Sequence, residues 1–163
     1  MSNHMNLSKH MKCQSTRGTR LALIFSTLIA KDYVIAVDYF SNFFEVGELR
    51  STNTSAVIKF LSSRFARHGI PSELVSDNCP QFTSSEFKRF AMEWSLRHVK
   101  SVPYHPQSNG KVENSVKTAK ALLQKSKASG ENFYLLLLAW RNTPSEGLGV
   151  SPVHHLMSRR TCT

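Results

Sequence analysis

The sequence predicts an α/β domain in which a mixed β-sheet carries helices on its faces. Two observations support this fold class. Three apolar, β-branched segments follow one another near the N-terminal end, which is typical of antiparallel strands joined by turns. After them, short apolar segments alternate with longer segments whose apolar residues recur at helical spacing, which is typical of β-α units. The predicted order of elements is β-β-β-α-β-α-β-α-α-α.

Composition limits the class of protein further. The chain has 163 residues, enough for one domain with a real core, and 40% of them are hydrophobic. No apolar stretch approaches the length of a bilayer span, so we expect no membrane segment, and no secretory signal pattern opens the chain. The 3 cysteines are scattered without a CxxC pair, which argues against a disulfide scaffold or a closed zinc site and favours a reducing compartment.

The charge favours a polyanionic partner such as nucleic acid, because 21 Lys and Arg oppose 11 Asp and Glu and give a net charge of +10. Residues 1–30 contain no acidic residue. Residues 1–20 also lack apolar periodicity, so we expect a basic, disordered arm there and a folded domain over residues 21–163. The arm is either a solvated tail or a nucleic-acid contact.

The first three strands are predicted from β-branched, apolar stretches. Residues 21–29 and 33–39 are separated by three residues and are predicted to form a hairpin. Residues 43–49 are predicted as a third strand. Thr52 or Asn53 then caps a helix that His68 and Gly69 end. The apolar stripe of this helix consists of Val57, Ile58, Leu61 and Phe65.

The next elements alternate between strand and helix. Glu73–Ser76 is short, apolar at its centre and bounded by turn residues, so it is predicted as a buried strand. Thr83 and Glu86 form a capping box for a second helix. Residues 98–102 are predicted as the last strand. The apolar face of the second helix consists of Phe87, Phe90, Ala91 and Trp94.

The C-terminal third is predicted to be helical after a loop. Residues 103–110 contain two prolines and an Asn-Gly pair, which is typical of a mobile loop. A helix is predicted over residues 111–127, with Gly130 as its stop, and another over residues 131–142. A short helix follows Ser151, which is a good cap ahead of proline.

Acidic residues are scarce, so their positions are informative. Asp77 directly follows the strand Glu73–Ser76, and the carboxyl ends of strands form the rim where active sites are usually built. The alternative is that Asp77 only closes an Asx turn. Glu113 lies in the first turn of the helix after the loop, where it is either an active-site carboxylate or an acid that complements the helix dipole.

Lysines follow Glu113 along the same helix. Lys117 at i+4 and Lys120 at i+7 share its face. They indicate either an exposed helix with an ion pair or cations that follow a phosphate backbone beside a reacting carboxylate.

Four phrases occur in order over about residues 33–160: VIAVDYFSNFFEV (34–46), FARHGIPSELVSDNCPQFTSSEF (65–87), PYHPQSNGKVEN (103–114) and AWRNTPSEGLGVSPVHHLMSRR (139–160). Together they resemble the catalytic core of integrases from retroviruses and gypsy-like LTR retrotransposons. The 35 residues between Asp77 and Glu113 match the gap that is characteristic of that family.

The resemblance implies an RNase H-like fold with a five-stranded mixed sheet flanked by helices. It implies that Asp77 and Glu113 are catalytic and metal-binding, as the second and third of three carboxylates that hold two Mg²⁺ (or Mn²⁺) ions for cleavage and transfer at DNA 3′ ends. The same family role implies DNA as a partner, assembly into a homodimer or higher multimer, and a nuclear location. The positions that match DNA-contacting residues are Tyr104, Gln107, Ser108, Asn109, Lys117 and Lys120.

The first acid of the family pattern is missing. It belongs on the first strand, about fourteen residues before Asp38, and that position holds Ile24. The first strand is therefore degenerate, and residues before about Lys31 depart from the family, as a truncated or damaged reading frame would. We expect the fold to survive and strand transfer to be lost, unless Asp38 on the second strand replaces the missing ligand.

A second departure is Cys79, which stands where the family usually has glycine in a turn with positive φ. We expect the Cys79 backbone to be strained and the Asp77 loop to be modestly distorted, with a reactive thiol as the alternative.

The sequence thus predicts an integrase catalytic core of LTR-retroelement origin. The functions that the family implies are nucleic-acid binding and DNA integration. We expect the activity of this chain to be impaired, because the first acidic ligand is missing. The alternatives are a non-catalytic nucleic-acid-binding or assembly module, and a ribonuclease H-type hydrolase. The hydrolase would not be expected to carry PYHPQSNGKVEN.

Overall fold

The computed structural model describes residues 20–101, 106–144, 149–158 and 161, and for residues 106–109 it describes the backbone alone. The predicted arm lies outside these residues except for Arg20, which is the first residue of a strand. Within the described part of the chain, no helix combines the length and the apolar character that crossing a bilayer requires.

A five-stranded mixed sheet forms the centre of the fold, as the sequence predicts. In chain order, the strands are β1 (Arg20–Leu28), β2 (Lys31–Asp38), β3 (Phe44–Leu49), β4 (Glu73–Ser76) and β5 (Arg97–Lys100). Their spatial order is β3-β2-β1-β4-β5. The pairs β1–β2 and β2–β3 are antiparallel, whereas β1–β4 and β4–β5 are parallel.

Strand β1 is complete, although the sequence predicts a degenerate first strand. It has 9 residues, and it pairs with β2 on one side and with β4 on the other. It occupies the middle of the sheet because its apolar residues pack into the cores on both faces. The departure of this strand from the family pattern therefore concerns its side chains and leaves its backbone intact.

Six helices are present in the described residues. They are α1 (Thr54–His68), α2 (Pro80–Thr83), α3 (Ser85–Glu93), α4 (Pro106–Ser129), α5 (Phe133–Asn142) and α6 (Pro152–Met157). Asn53 caps α1 by accepting a hydrogen bond from the backbone N–H of Ala56, and Ser151 caps α6 in the same way from His154.

The starts of α3 and α4 differ from the prediction. Thr83 does not cap the second long helix; it ends the short helix α2, and Ser84 caps α3 by accepting from the N–H of Phe87. Residues 106–110 of the predicted loop are helical, because α4 already begins at Pro106. Proline is tolerated at a helix start, where its missing N–H would have no intrahelical partner.

The two faces of the sheet carry separate cores. On one face, Leu23 and Val34 pack with Leu61 of α1 and Phe87 of α3. We call this the α1/α3 face. On the other, which we call the α4/α5 face, the packing includes Ala22, Ile35, Val37, Ala119 of α4 and Leu137 of α5. Successive residues of β1 and β2 alternate between the faces, so the face to which a side chain belongs follows from its register.

The turn between β1 and β2 is strained. Ile29 and Ala30 both have positive φ, at 53° and 59°. Two-residue hairpins favour this left-handed conformation because it matches the twist of the strands, but they normally place Asn and Gly there. A β-branched residue with positive φ is a conformational outlier.

A largely buried charged cluster connects β3 to α1 and α5. The carboxylate of Glu45 lies 3.1 Å from Nε2 of His68 and 3.1 Å from a terminal nitrogen of Arg141, with Nε of Arg64 at 3.7 Å. Burial raises the pKa of Glu45, but the hydrogen bond from His68 and the two arginines outweigh it and lower that pKa to about 2. Arg141 also donates to the carbonyl oxygen of Phe44 at 2.6 Å.

Candidate functional site

The carboxyl end of β4 and the middle of β1, which lies beside it, form the rim that holds the candidate site. In the parallel pairing of these strands, Leu23 lies opposite Ser76. The next residues along the two strands are Ile24 and Asp77, which therefore come side by side at the rim. Helix α4 packs across the α4/α5 face, to which Ile24 belongs, since Val112 and Val116 contact the core of that face.

A pocket of about 220 Å³ opens at this rim. It brings together Asp77 and Glu113, the two carboxylates that the sequence singles out, with Ile24 in the same wall. The remaining lining residues are Ala22, Leu23, Tyr39, Val75, Ser76, Ser101 and Val112. Residues that are 36 positions apart in the chain therefore meet through the pairing of β1 with β4 and the packing of α4.

Asp77 is held by the turn that follows β4. Its Oδ1 accepts a hydrogen bond from the N–H of Cys79 at 3.1 Å. The Asx-turn interpretation is therefore correct as a description of local geometry, and the same turn leaves Asp77 in the wall of the pocket. The two interpretations of this residue are compatible.

The expectation of a strained Cys79 is wrong. Its φ is −56° and its ψ is 145°, an ordinary extended conformation. Pro80 explains this value, because a residue before proline is restricted to extended backbone. Burial and the adjacent Asp77 carboxylate raise the pKa of the Cys79 thiol to about 11, so the thiolate is scarce at neutral pH and a reactive thiol is not favoured.

Glu113 lies in the third turn of α4, because this helix begins earlier than predicted. The residue is exposed and projects from the helix at the mouth of the pocket. Two residues earlier, Nζ of Lys111 donates to the backbone oxygen of Tyr39 at 2.8 Å. This bond connects the N-terminal part of α4 to the residue that follows β2, and no local pattern indicates it because the partners are 72 residues apart.

Ile24 occupies the position where the family resemblance requires the first carboxylate. It is half-buried and packs against the core of the α4/α5 face, as do Val112 and Val116. Its side chain has no oxygen to offer a metal ion. The pocket is therefore apolar at the position where the two-ion chemistry requires an anionic ligand.

Asp38 does not replace the missing ligand. It pairs with Leu21, three residues before Ile24, and it lines a different cavity together with Ala36 on the α1/α3 face. The residue is only 9% exposed, and its Oδ2 accepts from the N–H and the hydroxyl of Ser41. A carboxylate held on the opposite face of the sheet cannot reach the pocket without breaking this arrangement.

The described residues contain no group of three or more His, Cys, Asp and Glu side chains that could hold a metal ion. Asp77 and Glu113 can offer two carboxylates to one Mg²⁺ that keeps several waters. They do not fit a pair of bridged ions, because no third carboxylate lines the pocket.

The residues expected to contact DNA are only partly described. Lys117 and Lys120 are exposed on α4, and helical geometry places them about 40° and 20° from Glu113 around the helix axis. Gln107, Ser108 and Asn109 belong to the first turns of α4, and their side chains lie outside the described residues. Tyr104 lies outside the described residues altogether.

Two functional candidates escape prediction from sequence. Ser76 is buried behind the Asp77 loop, and its hydroxyl lies 2.8 Å from Nε2 of His98 on β5. A Ser and a His separated by 22 residues carry no spacing signal. Only the parallel pairing of β4 and β5 brings them together.

A family model described as the integrase core domain matches residues 12–106, more than half of the chain. The match includes β1 and begins well before residue 33. The matched segment thus begins earlier than the expected start near residue 33. Glu113 lies beyond the matched segment.

Similar proteins include an uncharacterized protein of Caenorhabditis elegans, which is 33% identical over 135 residues, 80% of this chain and 11% of that protein. The Gag-Pro-Pol polyprotein of sheep pulmonary adenomatosis virus is 35% identical over 97 residues, 60% of this chain and 6% of the polyprotein. The chain thus spans a small part of the length of these relatives.

Solved structures confirm the architecture. The catalytic core domain of BIV integrase superposes with a TM-score of 0.78 at 19% identity, covering 87% of this chain and 95% of that one. The simian T-cell lymphotropic virus intasome in complex with the PP2A regulatory subunit B56 gamma gives a TM-score of 0.74 at 22% identity, covering 90% of this chain and 56% of that one. At these identities, the matches show a shared RNase H-like fold.

Proposed function

Because the chain belongs to the integrase core domain family, we propose that it is the DNA-binding core of a retroelement integrase whose strand-transfer chemistry is impaired. The observation that supports this proposal is the composition of the rim pocket. Two carboxylates, Asp77 and Glu113, share it with an isoleucine in place of the third acid.

The physical argument concerns the number of anionic ligands. Phosphodiester transfer by two divalent ions needs carboxylates that hold and bridge both ions, so that the attacking and the leaving oxygen are each stabilised. Mg²⁺ or Mn²⁺ prefers oxygen ligands, and Ile24 offers none. Asp77 and Glu113 remain suited to a single hydrated ion, which orients a phosphate but does not activate both oxygens.

The DNA-binding part of the proposal rests on charge. Lys117 and Lys120 are exposed on the helix that carries Glu113, and the whole chain has a net charge of +10. Cations beside a pocket of this kind bind the phosphates that flank a DNA end. The structural neighbour described as an intasome supports assembly of such cores into multimers on DNA, and this role would place the protein in the nucleus.

Restoring the missing ligand tests the impaired chemistry. The native chain, Ile24→Asp and Ile24→Asn are incubated with Mg²⁺ or Mn²⁺ and a labelled DNA duplex that carries retroelement ends, and 3′-end cleavage and strand transfer are followed. We expect activity in Ile24→Asp only, and its loss in Ile24→Asp combined with Asp77→Asn. Full activity of the native chain would contradict the proposal. A restored chain that binds DNA but remains inactive would favour a non-catalytic binding module.

Charge removal on α4 tests DNA binding separately. Fluorescence anisotropy of a labelled duplex is measured against salt for Lys117→Ala/Lys120→Ala. Losing two phosphate contacts is expected to reduce the slope of log affinity against log salt by about 2. The matched control is Lys59→Ala/Lys88→Ala, which removes two exposed lysines from α1 and α3 on the opposite face. Equal effects of the two pairs would contradict a specific role for α4.

A further inference from the structure

A buried hydrogen-bond pair lies directly behind the Asp77 loop. Ser76, the last residue of β4, is 1% exposed, and its hydroxyl lies 2.8 Å from Nε2 of His98. The same hydroxyl donates to the backbone oxygen of Asp77 at 3.0 Å. The imidazole of His98 packs edge-on against Phe87, with the ring centroids 5.0 Å apart. A side chain of β5 is thus connected through one hydroxyl to the peptide group of Asp77.

The direction of these bonds follows from counting protons. A serine hydroxyl has one proton to donate, and Ser76 donates it to Asp77. The contact with His98 must therefore run from Nε2–H to the hydroxyl oxygen. Burial and the nearby Lys100 lower the pKa of His98, which favours the neutral ring at physiological pH. The neutral ring then carries its proton on Nε2.

Asp77 needs such support because it lies beyond the end of the strand ladder. The backbone oxygen of Ser76 accepts from the N–H of Ser101 at 2.7 Å, so Ser76 itself is held by the segment after β5. The parallel pairing of β4 with its two neighbours ends at Ser76. The bonds that the structure shows at Asp77 come from the Ser76 hydroxyl to its carbonyl and from the N–H of Cys79 to its carboxylate.

We propose that His98 is a positioning residue for Asp77, which acts through the Ser76 hydroxyl to fix the peptide group of Asp77 and hence the direction in which its carboxylate enters the pocket. His98 itself stays on the α1/α3 face, outside the pocket. This positioning role can be distinguished from packing by experiment, because substitutions can remove the imidazole donor and the imidazole ring separately.

Three variants make this separation. His98→Phe keeps a ring against Phe87 but removes the donor. His98→Gln keeps an N–H at a similar reach but removes the ring. Ser76→Ala removes the hydroxyl that connects the two residues. A role in positioning predicts that His98→Phe and Ser76→Ala behave alike and that His98→Gln resembles the native chain.

The first readout is hydrogen exchange of single backbone amides in the otherwise native chain. The Cys79 N–H, which bonds to the Asp77 carboxylate, is expected to exchange about tenfold faster in His98→Phe and Ser76→Ala. This is the change in the opening equilibrium that loss of one hydrogen bond produces. The N–H of Ser101, which bonds to the backbone of Ser76, serves as an internal control and is expected to keep its rate. Unchanged exchange at Cys79 in His98→Phe would overturn the proposal, as would equal acceleration at both amides.

The second readout is Mn²⁺ affinity in the Ile24→Asp chain, and it depends on the proposed function. There, adding His98→Phe is expected to weaken Mn²⁺ binding about tenfold, with DNA affinity unchanged and with recovery in His98→Gln. Undiminished Mn²⁺ affinity would overturn the role of His98. Failure of the Ile24→Asp chain itself to bind Mn²⁺ would count against the proposed function, while amide exchange at Cys79 still decides the role of His98.

Discussion

Replacing Ile24 by aspartate is expected to lower stability in the absence of metal and to make stability depend on Mg²⁺. The two effects have separate causes in the same pocket. The substitution removes half-buried apolar surface from the core of the α4/α5 face, and it adds a third negative charge beside Asp77 and Glu113.

The loss without metal can be worked from these causes. Full burial of an isoleucine side chain contributes about 1.5–3 kcal/mol, so a half-buried one contributes about 1 kcal/mol. Repulsion between unit charges about 4 Å apart in water adds about 1 kcal/mol for each neighbouring carboxylate. The free energy of unfolding should fall by about 2–3 kcal/mol, which lowers Tm by about 5–10 °C in a domain of this size.

Metal is expected to reverse most of this loss. An ion that binds only the folded state at 100 times its Kd stabilises by about 2.7 kcal/mol. Thermal unfolding is followed by circular dichroism with increasing Mg²⁺ for the native chain, Ile24→Asp and Ile24→Asn. The asparagine variant removes the same apolar surface without the charge, so it should lose about 1 kcal/mol and gain little from Mg²⁺. The assignment of this pocket would be refuted if the Tm of Ile24→Asp did not change with Mg²⁺, or if the Tm of the native chain rose with Mg²⁺ by as much.

Three further predictions concern the scaffold. Ala30→Gly should raise Tm by about 2–4 °C, because it relieves a positive φ of 59° that costs an alanine about 1 kcal/mol, and destabilisation in thermal unfolding would contradict the strain. Gly47→Ala should lower the free energy of unfolding in urea by about 1–3 kcal/mol, because the added Cβ would lie 2.5 Å from the buried ring of Phe60; an unchanged midpoint would show that the ring moves freely. Glu45 has a pKa lowered to about 2, so its contribution is complete above about pH 4.5 and disappears as pH falls towards 2. Urea unfolding between pH 2 and 5 should therefore show a pH slope that Glu45→Gln flattens, by about 2–3 kcal/mol over the range.

Most strands and helices were predictable from local pattern. Alternation and β-branching locate β1 and β2, and the bounds of β4 are those predicted, since turn residues enclose its apolar centre. The start of α4 was missed because proline, asparagine and glycine over residues 106–110 favour a loop by local propensity. In the protein, these residues are helical, and the valines that follow anchor the helix to the sheet.

The site was predictable to the extent that strand ends and family phrases identify it. Asp77 follows from its place after β4, and Ile24 from counting along the resemblance. The conformation of Cys79 was missed because the family pattern was followed there, although Pro80 restricts the preceding residue and was visible in the sequence. The contact of Ser76 with His98 was not predictable, because it depends on the register between two strands that a helix separates.

Arg141 has a consequence for how this molecule behaves in concentrated solution. Strand β3 is the outer strand beside β2, and an outer strand with free backbone groups is a template on which another chain can add and start aggregation. The guanidinium of Arg141 already occupies the Phe44 carbonyl at the beginning of β3, and it lies 4.2 Å over the ring of Phe43. A bulky, positively charged group therefore obstructs the first rung that an incoming strand would need, and helix α5, which carries Arg141, protects the β3 edge of the sheet against association with another strand.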